Sequence, residues 1–329
     1  MAVLVTGGAG YIGSHMVVNL VEAGEEVVVL DNLSTGFDWA VAGAARLVVG
    51  DLADTALVHQ VLAEGVDAVI HFAGSVIVPE SVADPLKYYR NNTSNTRNLI
   101  EACVETGVKN FIFSSTAAVY GDPQTVPVAE TAPLRPLSPY GSSKLMSEIM
   151  LADTAAAHDF AYTALRYFNV AGADPEGRTG QSTANATHLI KVACEAALGK
   201  RARLSIFGTD YDTPDGTGVR DYIHVVDLVE AHRLALARLR AGGSSVVLNC
   251  GYGEGYSVRQ VIDAVRRVSG RDIEVLEEPR RAGDSSKVVA LAEAVRHELG
   301  WSPRYDDLDA IVSHALAWER HLAQRNKAC

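Results

Sequence analysis

One repeating pattern constrains the fold of this chain most strongly: short apolar runs alternate with amphipathic stretches over residues 1–170. The runs begin with Ala2–Thr6 and Glu26–Asp31 and end with Tyr162–Tyr167. Runs that are apolar throughout are typical of strands buried on both faces, which occur in parallel sheets covered by helices. The pattern therefore predicts an α/β fold with a Rossmann-type, doubly wound parallel sheet. Its other predicted strands are Arg46–Gly50, Ala68–Ala73 and Asn110–Ser114.

Helical patterns fill the gaps between these runs, and the longest are Pro85–Glu105 and Pro139–Ala157. Strands and helices together define a first domain over residues 1–170. The pattern loosens afterwards, so residues 171–329 are predicted to form a smaller, interleaved C-terminal α/β lobe. Within that lobe, residues 221–251 contain a helix and a strand that we expect to return to the first sheet. Two lobes arranged in this way leave a cleft between them.

Composition narrows the functional classes. The formal net charge of −11 argues against broad binding to nucleic acid, which needs a basic surface. No apolar run reaches the length of a membrane span, and the N-terminus lacks a basic leader, so we expect a cytoplasmic protein and no membrane partner. No CxxC pair or zinc-type spacing occurs, which predicts reduced thiols and no metal site at the cysteines Cys103, Cys194, Cys250 and Cys329.

A glycine-rich loop follows the first predicted strand and opens a helix. Its glycines are Gly7, Gly10 and Gly13. Gly7 permits the tight turn, Gly10 lets the backbone approach a pyrophosphate, and Gly13 lets the helix pack closely on the strand. The helix N-terminus then presents free N–H groups and partial positive charge to phosphates. The loop therefore predicts dinucleotide binding.

An acidic residue selects the dinucleotide. Asp31 ends the second predicted strand, where a carboxylate accepts hydrogen bonds from a ribose 2′-hydroxyl and repels a 2′-phosphate. Asn32 follows, with no arginine near, so NAD is favoured over NADP. Asp51 ends the third strand and has two interpretations: an adenine contact, or the N-cap of the next helix.

The chemical end of the predicted site is the pair Tyr140 and Lys144, which lie four apart on one helix face. Hydride loss from a secondary alcohol requires a base, and lowering a phenol pKa from about 10 to about 7 takes ~4 kcal/mol. One cation at ~5 Å supplies ~3 kcal/mol at an effective dielectric constant of ~20. Lys144 alone therefore does not lower the phenol pKa enough, whereas Lys144 together with a positively charged nicotinamide does. Thr116 either relays the proton of the reacting oxygen or bonds its own backbone.

Five segments carry a resemblance to a known family. They resemble the extended short-chain dehydrogenase/reductase family and, within it, the hexose-nucleotide 4-epimerases, over almost the whole chain. The segments are Val5–His15, Val69–Gly74, Phe111–Thr116, Arg166–Asn169 and Asp215–His224.

The resemblance implies an NAD-dependent isomerase that interconverts UDP-glucose and UDP-galactose. In such a reaction C4 is oxidised to a 4-keto sugar, the sugar rotates, and the hydride returns to the opposite face. Residues 1–170 would bind NAD, and residues 171–329 would mainly bind the nucleotide sugar. Relatives commonly dimerise through two helices, which here are Pro85–Glu105 and Pro139–Ala157, so a homodimer is implied as well.

The resemblance also implies roles for individual residues. Tyr140 would be the base, Lys144 its electrostatic partner, and Thr116 a proton relay. The cofactor site would comprise Gly7, Gly10, Tyr11, Ile12, Gly13, Asp31, Asn32, Asp51, Leu52, Phe72, Ala73, Gly74, Asn91, Ser114, Tyr140, Lys144 and Tyr167. The substrate would contact Thr116, Tyr140, Phe168, Asn169, His188, Leu189, Arg220, Arg281 and Asp284.

Three positions depart from patterns common in the family. Val76 stands in place of a lysine near the cofactor phosphates, and Lys191 replaces a usual proline after His188 and Leu189. Val288 replaces a tyrosine beside the sugar, which leaves more room and suggests that N-acetylhexosamine nucleotides are also accepted.

Other activities on the same scaffold are a nucleotide-sugar 4,6-dehydratase, a UDP-glucuronate decarboxylase and a silent NAD-binding protein. A dehydratase requires an acid and a base after the active-site threonine, where this chain has Ala117 and Ala118. The intact set of Tyr140, Lys144 and Thr116 argues against a silent protein.

Overall fold

The computed structural model describes residues 1–184, 186–281 and 283–325, apart from the side chain of Arg325. Its strands are β1 (Ala2–Thr6), β2 (Glu26–Asp31), β3 (Arg46–Val49), β4 (Val66–His71), β5 (Asn110–Thr116), β6 (Ala161–Tyr167), β7 (Asn169–Ala171), β8 (Leu204–Phe207), β9 (Val219–Arg220), β10 (Tyr222–His224), β11 (Val246–Cys250), β12 (Tyr256–Ser257), β13 (Val275–Glu278) and β14 (Lys287–Val288).

The helices connect these strands. They are α1 (Tyr11–Glu22), α2 (Thr55–Ala63), α3 (Val78–Ala83), α4 (Pro85–Tyr88), α5 (Asn95–Thr106), α6 (Pro139–Ala157), α7 (Leu189–Ala197), α8 (Val225–Arg240), α9 (Val258–Ser269), α10 (Glu293–Leu299) and α11 (Leu308–Arg325).

A seven-stranded sheet has the order β11-β6-β5-β4-β1-β2-β3, and every neighbouring pair is parallel. The chain runs outward from β1 to β3 and then crosses back to β4, so the strand order reverses between β1 and β4. Open sheets of this kind bind ligands beyond the carboxyl ends of the strands at this reversal. The predicted α/β Rossmann-type fold is confirmed.

Alternate residues of the strands enter two separate cores. Val3 and Val5 of β1 join Met16 of α1 and side chains of α8 on one face of the sheet. Leu4 joins Val58 of α2 and side chains of α5 on the other face. Burial on both faces explains why Ala2–Val5 of β1 and Val27–Leu30 of β2 are apolar and why the bounds of both strands agree with the prediction.

The second half of the chain contributes to both lobes. β11 pairs with β6, with Leu248 opposite Leu165, so residues 246–250 extend the first sheet. β9 lies between β12 and β14 in a small sheet, while β7 pairs with β10 and β8 with β13. Helices α7, α9 and α11 pack against one another beside these short strands.

The predicted helical stretch Pro85–Glu105 is helical in the structure but is not a single α-helix. A π-helical turn, Tyr89–Ser94, interrupts it between α4 and α5. Asn92 in this turn accepts a hydrogen bond from the backbone N–H of Ser75 at 2.7 Å and donates to Ser143 at 3.0 Å. Tertiary hydrogen bonds of this kind set the local backbone in a way that helical periodicity does not reveal.

Helices α3 and α7 were not predicted.

Among the described residues, no helix combines the length and the apolar composition needed to cross a bilayer.

Candidate active site

The glycine loop leaves no room for side chains. Gly7 has a φ of 71°, and a Cβ atom there would lie 2.6 Å from the backbone nitrogen of Ala73. A Cβ atom on Gly13 would lie 2.1 Å from the carbonyl oxygen of Gly7. Gly10 precedes α1 and provides no side-chain cap. The first N–H groups of α1, at Tyr11, Ile12 and Gly13, are therefore free to bind phosphate oxygens.

The carboxylate of Asp31 lies against this loop. Its two oxygens accept hydrogen bonds from the backbone N–H groups of Ala9 at 2.9 Å and Leu33 at 2.8 Å. These bonds hold the carboxylate at the end of β2, where a ribose hydroxyl would meet it. A narrow cradle, an uncapped helix N-terminus and this carboxylate together fit a dinucleotide such as NAD.

Asp51 has contacts that decide between its two interpretations. It accepts hydrogen bonds from the side chain of Asn32 at 2.7 Å and the backbone N–H of Ala53 at 2.9 Å. The N-cap of α2 is Asp54, which accepts from the N–H of Leu57 at 3.0 Å. The N-cap interpretation of Asp51 is therefore wrong, and the adenine contact stays a prediction.

The segment after β4 faces the glycine loop. The N–H groups of Phe72 and Ala73 both donate to the carbonyl of Thr6, at 3.0 and 3.1 Å. Asn91 donates to the hydroxyl of Ser75 at 3.1 Å. The adjoining cofactor positions are Leu52, which is buried, and Gly74, while Val76, in place of the family's lysine, is exposed.

The chemical end forms where β5 meets α6. Ser138 caps α6 through Gly141, and Pro139 begins the helix, which places Tyr140 in its first turn. Tyr140 and Lys144 are both buried. Lys144 donates through Nζ to the carbonyl of Ser114 at 2.9 Å. A Cβ atom on Gly74 would lie 3.7 Å from this Nζ, so the ammonium adjoins the predicted cofactor cleft.

Thr116 bonds its own backbone, and its role as a proton relay stays a prediction. Its Oγ1 accepts a hydrogen bond from the backbone N–H of Ala118 at 3.1 Å. Its side chain also lies beside the phenol of Tyr140 and lowers the pKa of that phenol. A hydroxyl can accept one bond and donate another, so the backbone contact orients Thr116 towards Tyr140.

Burial dominates the electrostatics of these groups in the chain alone. It raises the pKa of Tyr140 above its ordinary value, and the hydrogen bond from Thr116 opposes this change. Burial also lowers the pKa of Lys144 to about 8, against the attraction of the Glu148 carboxylate. The phenol is therefore protonated at neutral pH without a ligand, and its ionisation requires a further positive charge in the site.

Other predicted residues surround the Tyr140–Thr116 pair. Tyr167 lies opposite Thr116 in the pairing of β5 with β6 and beside Ser114. Ser114 also contacts His232 of α8, with its Oγ 3.3 Å from Nε2. Phe168 is buried directly after β6.

The predicted substrate residues fall into two neighbouring groups. Asn169, His188 and Leu189 line one small pocket. In the second group, Arg220 donates to the carbonyl of Ser285 at 2.7 Å. Arg281 of this second group forms an ion pair with Asp284 at 3.1 Å. Val288 lies opposite Arg220 in the pairing of β14 with β9. A backbone hydrogen bond joins the two groups: the N–H of Asn169 donates to the carbonyl of Asp221 at 2.9 Å, and Asp221 directly follows Arg220.

A buried ion pair beneath the site was missed by sequence reasoning. Glu148 and Arg166 meet through hydrogen bonds of 2.6, 3.0 and 3.2 Å, and Glu148 also accepts a hydrogen bond from Ser115. Glu148 follows Lys144 by one helical turn of α6, and this spacing is the sequence signal that could have pointed to Glu148.

Comparison with known proteins decides the family. Residues 3–251 match the model of the NAD-dependent epimerase/dehydratase family. The chain is 57% identical to a UDP-glucose 4-epimerase of Azospirillum brasilense, over 98% of this chain and 93% of that protein. This chain belongs to the UDP-glucose 4-epimerase family.

Solved structures of this epimerase family agree. A UDP-glucose 4-epimerase from Brucella ovis in complex with NAD superposes with a TM-score of 0.93 at 45% identity, over 96% of this chain and 97% of that one. The UDP-Glc/GlcNAc 4-epimerase of Campylobacter jejuni is 50% identical, with a TM-score of 0.85 and coverages of 97% and 99%.

Proposed function

We propose that this epimerase interconverts UDP-glucose and UDP-galactose at C4 with bound NAD. The observation that carries the proposal is the burial of Tyr140 beside Thr116 and Lys144. This group lies at the end of a cleft lined by Gly7 and Asp31. When bound, NAD supplies the acceptor and donor of the C4 hydride. Family membership supports the substrate, since the relatives compared above are named for UDP-glucose.

Side chains of the protein carry out the proton transfer. Tyr140 takes the proton of the 4-hydroxyl, and Thr116 relays it, because its hydroxyl lies beside the phenol. Lys144 remains a cation beside them because its pKa stays at about 8 despite burial. Its positive charge stabilises the phenolate form of Tyr140.

Inversion requires the sugar to turn while the nucleotide stays bound. Arg220 and Arg281 are placed to bind the diphosphate, since a guanidinium offers fixed donors that match phosphate oxygens. The guanidinium of Arg220 is pre-oriented by the carbonyls of Val219 at 2.9 Å and Ser285 at 2.7 Å. Phe168 and Val288 offer the sugar apolar walls without fixed hydrogen bonds, which permits rotation.

An assay without added cofactor tests the proposal. Protein purified with its bound NAD is expected to convert UDP-galactose into UDP-glucose, and the reverse, with no NAD in the buffer. Steady consumption of free NADH, or a product other than the C4 epimer, would show a different reaction.

We further propose a homodimer formed through α4 and α6. Apolar side chains of these helices lie exposed, namely Leu86, Met146 and Ile149. Leu86→Glu and Ile149→Glu are expected to shift the protein from dimer to monomer in sedimentation experiments. Val49→Glu, which changes an exposed valine on β3, is the matched control and should remain dimeric. Wild-type protein that sediments as a monomer would refute the dimer.

A cytoplasmic location completes the proposal and fits a role in galactose metabolism. Cys103, Cys194 and Cys250 are buried free thiols, as expected in a reducing compartment.

Turnover of UDP-N-acetylglucosamine is a second activity that we propose. Val288 is small, and the 50% identical Campylobacter jejuni enzyme is named for both GlcNAc and Glc substrates. Val288→Tyr is expected to lower turnover of UDP-N-acetylglucosamine relative to UDP-galactose by at least ~10-fold, because the ring fills space that the acetamido group needs. Competing turnover rates of the two substrates measure this ratio, and wild-type protein active only on the unacetylated sugar would contradict it.

A further inference from the structure

The C-terminal helix forms part of the wall of the substrate cavity. Trp318 and Glu319 of α11 line it together with Asn169, His188 and Lys191. Lys191 occupies the first turn of α7, where the backbone N–H has no helical partner and a proline is equally acceptable. A lysine there places an ammonium group where the family's usual proline would place none.

The ammonium of Lys191 is buried and fully engaged. Its Nζ donates to the carbonyl of Gln181 at 3.0 Å and forms ion pairs with Glu319 and, at 3.3 Å, with Glu195. Glu319 is itself buried and also pairs with Lys200 at 2.7 Å. Charges buried in this way are stable only while their partners remain. Lys191 therefore holds the backbone at Gln181 to both α7 and α11.

Gln181 in turn determines the state of His188. Its side-chain Nε2 lies 2.7 Å from Nδ1 of His188. An amide nitrogen only donates, so Nδ1 accepts, and the proton of the neutral ring is on Nε2. Desolvation and the positive charge of Lys191 both lower the pKa of His188, which favours this neutral ring. The neutral ring then has one N–H donor available to a ligand in the pocket that His188 lines.

We infer that Lys191, held by Glu319, is a positioning residue for nucleotide binding: through Gln181 it presents the Nε2–H of His188 to an oxygen of a nucleoside diphosphate. The identity of the ligand as UDP rests on the proposed function. The chain of contacts runs from α11 to the cavity without including Tyr140 or Thr116, so it acts on binding rather than on the proton transfer.

Calorimetric titration of the NAD-loaded protein with UDP tests this inference. Lys191→Met and His188→Ala are each expected to raise the Kd for UDP by ~10-fold, the effect of losing about one hydrogen bond. Because Lys191 acts through His188, the double variant should bind no more weakly than His188→Ala alone. Lys200→Met removes the other lysine of Glu319 and does not touch Gln181, so it should bind UDP as the wild type does.

Wild-type affinity in Lys191→Met, or losses that multiply in the double variant, would overturn the inference. If Lys191→Met does not fold, Gln181→Met removes the amide donor without disturbing the ion cluster, and the same ~10-fold weakening is expected. Turnover of UDP-galactose is measured in parallel. Wild-type protein that binds UDP but does not epimerise would refute the proposed function and leave the inference standing, whereas wild-type protein that fails to bind UDP would overturn the inference.

Discussion

Tyr140→Phe is expected to lower the kcat for UDP-galactose epimerisation by ~10³-fold, the usual contribution of a positioned general base. The change removes one oxygen and keeps the ring, which packs edge-on against Tyr88 at 6.4 Å between centroids. Thr116 retains its contact with Ala118, yet no group then takes the substrate proton from it. Initial rates with purified variant and wild type measure the effect.

Two controls show whether the Tyr140→Phe variant keeps the wild-type fold and its bound cofactor. Tyr140→Phe should keep the far-ultraviolet circular dichroism of the wild type and its content of bound dinucleotide. Native-rate epimerisation by such a protein would show that another group is the base.

Arg166→Met is expected to lower the free energy of unfolding by ~3–5 kcal/mol, the cost of leaving a buried carboxylate without its partner. Glu148 and Arg166 are about 5% and 4% exposed. Arg166 also donates to the hydroxyl of Tyr120 at 3.0 Å and the carbonyl of Glu130 at 3.2 Å, and both acceptors would be left without that donor. Equilibrium unfolding in urea measures the loss.

A surface pair provides the matched control for Arg166→Met. Arg97 and Glu101 form an exposed ion pair at helix spacing four, and Arg97→Met should change stability by only about 0.5 kcal/mol. A double variant, Glu148→Met with Arg166→Met, should be less destabilised than Arg166→Met, because no charge is left buried. Equal stability of Arg166→Met and Arg97→Met would contradict the assigned cost.

The central sheet could be predicted from sequence because its physical cause is local. Burial on both faces makes the centres of β1 and β2 apolar, and Ser138 with Pro139 mark the start of α6. The strands β9, β12 and β14 contain two residues each, too few to show any period. Their pairing depends on tertiary contacts that no local pattern encodes.

The chemical end of the site was predictable for a related reason. Parallel strands end at one edge of the sheet, and a spacing of four places Tyr140 and Lys144 on one helix face, so their meeting with Thr116 follows from local rules. The pairing of Lys191 with Glu319 joins residues 128 positions apart and could not be read from spacing. Burial raises the pKa of Tyr140, and this effect likewise could not be predicted from spacing because it depends on the folded core.

Titration of the tyrosinate absorbance most directly tests whether Tyr140 ionises near neutral pH. With NAD bound, wild-type protein should show one tyrosinate at neutral pH, the working range of a general base, and Tyr140→Phe should lack it. Protein stripped of NAD should not show it either, because burial then raises the pKa of Tyr140. NAD-loaded wild type without any tyrosinate signal below about pH 9, well under the ordinary phenol pKa, would contradict the proposed base.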